Sequence, residues 1–211
     1  MRSAAVLTVL AVLASGSVAQ AETFEAHTLT ASTKVALAVE STGSFQALKI
    51  RLTNQTKVAH TVKVSQGTYF KPSDGAQPLA VTRPAERVVQ AGATVTLTLD
   101  TACMDPAKAV ASSGYKAWSA ATDIGLAGLL VGLELVRAFP PFAQWFSTPD
   151  KSRKTVQGVI WVYYDASKST MTSFATTHMF SGDQRAASTF IDAIYPVAKS
   201  MLAFYKQNIP R

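Results

Sequence analysis

The chain has 211 residues, 48% of them hydrophobic and 16% charged, enough apolar material for one good core or two small ones sharing an interface. Lys and Arg number 20 against 13 acidic residues, a formal net charge of +7, yet no basic run occurs and the densest cluster is Lys151, Arg153 and Lys154. That pattern argues against nucleic acid and leaves an anionic surface, an unidentified protein partner, or a mixed solvated surface that is basic on balance.

Residues 1–21 read as a secretory signal peptide: Arg2 gives a positive start, Ala4–Ala14 an apolar core, and Ala19-Gln20-Ala21 a small-x-small cleavage site. The mature chain is expected to begin near Glu22 in a secreted or periplasmic location. Cysteines usually pair in such compartments, but Cys103 is the only one. A lone exported cysteine means an intermolecular disulfide, a buried inert thiol or a reactive site.

Residues 22–105 alternate like half-buried strands. Lys34–Glu40 puts Val35, Leu37 and Val39 on one face; Leu48, Ile50 and Leu52 repeat the pattern, as do Val58, Val62 and Val64. Turn residues separate these runs at 42–44, 54–56, 71–75, 83–84 and 91–92. About seven strands at this spacing predict an antiparallel, immunoglobulin-like β-sandwich. Asn54-Gln55-Thr56 fits a polar hairpin turn better than the glycosylation acceptor it also matches. Gly67 marks a bulge or bend. Thr94–Pro106 carries the cleanest strand, with Val95, Leu97 and Leu99 alternating, and ends at Cys103.

Residues 106–211 read as a helical domain of four or five helices, so the fold class is α+β. Ala120–Phe139 predicts a buried helix, capped by Thr122 or Asp123 and stopped by Pro140-Pro141; Glu134 and Arg137 interrupt its apolar run, so no membrane span is expected. Thr155–Tyr164 is ambiguous, but Val156, Val159, Ile160 and Tyr163 fall at helical spacing. Ser181 or Asp183 starts a helix with Ala187, Phe190, Ile191, Ile194 and Tyr195 on one face, and Pro196 is expected to break or kink it.

Conventional catalytic chemistry has little support. Only His27, His60 and His178 exist, and His178 is the only one placed in a loop. No Gly-x-Ser-x-Gly, P-loop or His-Glu-x-x-His occurs. Cys103, Met104, His178 and Met179 offer donors suited to a soft metal, but their spacing does not support a site, and neither a metal nor another cofactor is expected.

The sharper pattern is Ala102-Cys103-Met104-Asp105 followed by Thr155-Val156-Gln157-Gly158-Val159-Ile160-Trp161. The order of the motifs and the Gln-x-x-Ile-Trp part resemble bacterial thioester adhesin domains. Ala102 stands where that family commonly has an aromatic residue, and Val156 intervenes between Thr155 and Gln157. The resemblance implies an internal thioester between Cys103 and Gln157, formed with loss of ammonia and able to acylate surface amines. Trp118, Trp161, Tyr163 and Phe180 would shield it from water. The chain is therefore expected to be an exported, non-catalytic binding or surface-interaction protein. The alternatives are a periplasmic enzyme or accessory subunit using His178, and a structural component of envelope assembly. Cys103 as a small buried junction residue is the bland possibility.

Overall fold

The structure is a computed structural model that describes residues 20–208. The signal peptide expected over residues 1–21 lies outside these, apart from its last two residues. In chain order the elements are β1 (Thr23–Glu25), a 3-10 turn (Ala26–Ala31), β2 (Val35–Ser41), β3 (Ala47–Asn54), β4 (His60–Val64), β5 (Thr68–Pro72), β6 (Leu79–Val81), β7 (Ala85–Val89), β8 (Thr94–Cys103), β9 (Gly114–Lys116) and β10 (Trp118–Thr122). Then come α1 (Ile124–Arg137), α2 (Pro140–Ala143), a 3-10 turn (Gln144–Phe146), α3 (Pro149–Tyr163), α4 (Lys168–His178) and α5 (Gln184–Asn208).

The fold is mixed α+β, with two sheets in the N-terminal half and helices after them. A curled seven-stranded antiparallel sheet has the order β10-β5-β6-β8-β3-β2-β9. Its alternation is that of the sequence: Leu48, Ile50 and Leu52 are buried, while Lys49 and Arg51 face solvent. The second sheet, β1-β4-β7, is not purely antiparallel, because β1 runs parallel to β4.

Strand content continues past the expected boundary at residue 105. β9 and β10 occupy the two edges of the large sheet, so the change to helix falls at Asp123 rather than at Cys103. Ala120 to Thr122, expected to open the first helix, instead close β10 against β5.

Asn54-Gln55-Thr56 is not a hairpin turn, because β3 and β4 belong to different sheets. Asn54 is 1% exposed. Its Nδ2 donates to the carbonyls of Val58 (2.7 Å) and Val89 (2.9 Å), and its Oδ1 accepts from the Thr56 N–H (2.9 Å). A buried amide engaged in this way holds the crossover together and is closed to a glycan. Gly67, at φ +77°, makes the turn from β4 to β5 under α1: an added Cβ would stand 2.7 Å from Ala127. Its carbonyl accepts the Asp123 N–H (3.0 Å), which fixes where α1 begins.

Asp123 caps α1 by accepting the Leu126 N–H at 2.9 Å, and Asp183 caps α5 by accepting the Ala186 N–H at 2.9 Å. Pro196 does not end α5, which runs from Gln184 to Asn208 through it. A proline in mid-helix withholds its N–H and crowds the carbonyl four residues back, here that of Asp192; Ile191, Ile194, Ala198 and Met201 on either side are buried, and their packing carries the helix across. Among the described residues no single helix is long and apolar enough to cross a membrane.

The ambiguous Thr155–Tyr164 segment is helical, within α3. Every residue from Thr155 to Trp161 is buried. Trp161 packs in one core with Leu48, Met171, Phe174 and Ile194; Val159 and Ile160 join a second with Leu129, Leu133 and Met201. Each such buried side chain stabilises by about 1.5–3 kcal/mol. The i,i+4 pair of half-buried Lys154 with exposed Asp150 contributes about 0.3–0.5 kcal/mol, so burial decides where α3 sits.

Candidate functional site: the Cys103–Gln157 junction

β8 changes partners along its length. Thr94 to Asp100 pair with β3, and Thr101 to Cys103 pair with β6. The switch is pinned at Thr101, whose N–H donates to the Gln46 carbonyl (3.1 Å) and whose hydroxyl donates to the Phe45 carbonyl (2.9 Å). Beyond it β3 is gone. Cys103 presents its N–H and C=O on the side away from β6, and both would be buried without partners.

Gln157 of α3 supplies the partners. Its Oε1 accepts the Cys103 N–H at 2.9 Å and its Nε2 donates to the Cys103 carbonyl at 2.7 Å. One carboxamide thus takes the place of the missing strand residue. Gln157 is 2% exposed and Cys103 fully buried, so the two hydrogen bonds are protected from competition with water.

The Cys103 thiol does not point at Gln157 Oε1. It donates instead to Oε1 of Gln77, in the loop between β5 and β6. Gln77 is fully buried; its backbone N–H donates to the Ala109 carbonyl (3.0 Å), while its Nε2 has no hydrogen-bond partner among the described residues. Burial pushes the thiol up from 9.0 to about 12, opposed by the Trp161 indole and the Asp105 backbone N–H. It is protonated at neutral pH, unlike the exposed, low-pKa cysteines that react with external reagents.

Of the four residues expected to shield the pair, Trp161 alone is placed against the thiol. It is fully buried and T-stacked on Phe174 at 5.4 Å. Trp118 lies on β10, three strands from β8. Tyr163 is at the end of α3, against Tyr164 and Gly125 of α1. Phe180 lines a separate groove with Phe190 and Lys154. Aromatic content drew these residues together in the sequence; the fold distributes them over different layers.

The histidines are committed elsewhere. His178 is the last residue of α4, not a loop residue, and stacks on Phe174 (4.4 Å) and Phe45 (6.4 Å). Its pKa is lowered by burial. His60 accepts the Glu22 N–H on Nδ1 (3.1 Å), which leaves Nε2 to donate to Thr56 Oγ1 (2.9 Å). His27 pairs through Nδ1 with Thr122 Oγ1 (3.0 Å). No group of three His, Cys, Asp or Glu suited to a metal occurs among the described residues. Gln77 is the site residue that sequence reasoning missed: a single glutamine in a loop carries no periodicity or motif.

Compared with family models, curated proteins and solved structures, the chain matches none.

Proposed function

We propose that this chain is an exported, non-catalytic surface-interaction protein carrying an internal thioester between Cys103 and Gln157. The observation that carries the proposal is the buried pairing of the Gln157 carboxamide with the main chain of Cys103, which brings together two residues 54 apart in sequence and drawn from the two structural halves. The thioester reading gives each of these hydrogen bonds a part in the condensation. The Cys103 N–H on Oε1 polarises the carboxamide carbonyl, the Cys103 carbonyl holds the nitrogen that must leave, and Gln77 holds the thiol proton.

Bond formation joins Sγ to the Gln157 carboxamide carbon and breaks that carbon's bond to Nε2; the thiol proton departs on nitrogen as ammonia. A target amine then attacks the same carbon, forming an amide and returning the thiol. Ionising a thiol of pKa about 12 at pH 7 costs about 7 kcal/mol, five pH units at about 1.4 kcal/mol each. Fixed placement supplies a term of similar size, about 7–11 kcal/mol, where the reacting atoms are held at attack distance, which is what the proposal requires of Sγ and the Gln157 carboxamide carbon. A cleft of about 150 Å³ has Thr101, Ala102, Val156 and Gln157 in its lining, and the proposal takes it as the side from which a slender amine approaches.

A second reading is favoured by the hydrogen bonds as they stand. With both carboxamide atoms on the main chain of Cys103 and the thiol on Gln77, the pair is a non-covalent latch that docks the helices on the sheet. Binding is then carried by a surface. In either case we take the two sheets as a variant of the immunoglobulin-like sandwich, supported by the short alternating strands, with the parallel β1–β4 pair as its departure.

Methylamine separates the two readings. A thioester incorporates it at residue 157 and releases one titratable thiol, and Cys103→Ala protein does neither; a latch takes up no amine. Export is tested by N-terminal sequencing of protein recovered outside the cytoplasm: a start near Glu22 supports it, and an intact Met1 counts against it.

A further inference from the structure

We propose that the groove between α3 and α5 is a binding site for a small amphipathic carboxylate, an aryl or acyl group ending in one negative charge. The groove has a volume of about 720 Å³, within the about 300–1,000 Å³ common for small-molecule sites. It shares no residue with the Cys103–Gln157 junction and stands independently of it.

Three aromatic residues form its apolar lining. Trp145 is anchored by its carbonyl, which accepts the Thr155 hydroxyl at 2.9 Å; Phe180 and Phe190 lie with ring centroids 5.6 Å apart. All three are only partly buried, so apolar surface is presented to whatever enters.

Charge on the rim is unbalanced. Asp150 is paired with Lys154 at 2.9 Å, and Lys154 also lies 4.9 Å from the centre of the Phe180 ring. Asp183 is occupied in capping α5. Lys151 and Arg185 are exposed and make no ion pair among the described residues. Three cations, Lys151, Lys154 and Arg185, thus face two carboxylates, Asp150 and Asp183, and two of the three stand outside any ion pair among the described residues. The first turns of α3 and α5 both line the groove, which adds the positive ends of two helix dipoles. An apolar body against the rings and a carboxylate at Lys151 and Arg185 satisfies both features; a neutral ligand leaves the rim unused, and a cation is opposed by it.

The test is an NMR titration of the full chain with 2-naphthylacetate and with its neutral counterpart 2-naphthylethanol. We expect 2-naphthylacetate to shift the Trp145 indole signal and to bind more tightly than the alcohol. Lys151→Gln/Arg185→Gln protein should bind the acid about tenfold more weakly with the alcohol unchanged. Both substitutions are at exposed positions, so the fold should be retained. Thr189→Trp, filling the groove from an exposed position on α5, should abolish both. Equal binding of the two probes to parent and double variant, shifts confined to Trp118 or Trp161, or no saturable binding would each overturn the proposal.

Discussion

Gln157 bridges the main chain of Cys103, with Oε1 2.9 Å from its N–H and Nε2 2.7 Å from its C=O, on the side where β3 has ended. An antiparallel neighbour would make the same two bonds with backbone groups. A helix side chain thus completes a sheet, and the orientation of α3 is fixed at the point where β8 leaves one partner for the next.

Gln157→Leu should therefore cost more than a surface substitution. It keeps the volume but leaves a buried N–H and a buried C=O unpaired, about 2–6 kcal/mol together. For a chain of this size that lowers Tm by roughly 4–24 °C. Calorimetry measures the loss, and hydrogen exchange at the Cys103 amide should accelerate. A change under 1 °C would show that the bridge adds nothing to stability.

The start of α1 gives a pH prediction. Tyr164 Oη donates to Asp123 Oδ2 at 2.6 Å, while Asp123 Oδ1 caps the helix. Burial first, and the Asp123 carboxylate second, raise the Tyr164 pKa above its ordinary value of 10.0. A phenol with a raised folded-state pKa contributes stability that is fully present below pH 10 and is lost as pH rises beyond it. Tyr164→Phe should be less stable by about 1–2 kcal/mol at neutral pH, and the gap to the parent should close above pH 10. Denaturant melts at pH 8 and pH 11 check this; a gap that widens at pH 11 would contradict it.

Two glycines with similar backbone angles should respond differently to Ala. Gly67 (φ +77°) would drive a Cβ to within 2.7 Å of Ala127, whereas Gly92 (φ +66°) faces open space. Gly92→Ala carries only the conformational term, about 1–2 kcal/mol. Gly67→Ala must also displace α1 from the β4–β5 turn, and we expect at least about 3 kcal/mol. Equal losses in urea melts would show that α1 is not seated on Gly67.

Strand positions were legible wherever one face was buried and the other wet, as at Leu48, Ile50 and Leu52. Pairing was not. Nothing local distinguishes a hairpin at Asn54 from a crossover, because the bonds that decide it run to Val89, 35 residues away. The late strands β9 and β10 were missed because Gly114–Lys116 is only three residues long and Trp118–Thr122, with a single large apolar side chain, does not alternate. Pro196 was read by its local penalty, and packing on both sides of it outweighed that. At the site, the order of the motifs and the Gln-x-x-Ile-Trp pattern brought out Cys103 and Gln157, and the structure pairs the Gln157 side chain with the Cys103 main chain. The role of each atom was not legible: the carboxamide serves the main chain, and the thiol finds Gln77, which no pattern marks.

The covalent claim comes down to one measurement, the intact mass of purified protein under denaturing conditions, with and without a thiol-alkylating reagent. The thioester account predicts a mass lower than the sequence by one ammonia, no alkylation at Cys103, and return of the missing mass in Cys103→Ala. A full mass with Cys103 fully alkylated would contradict it, and would leave Gln157 as a latch between sheet and helix.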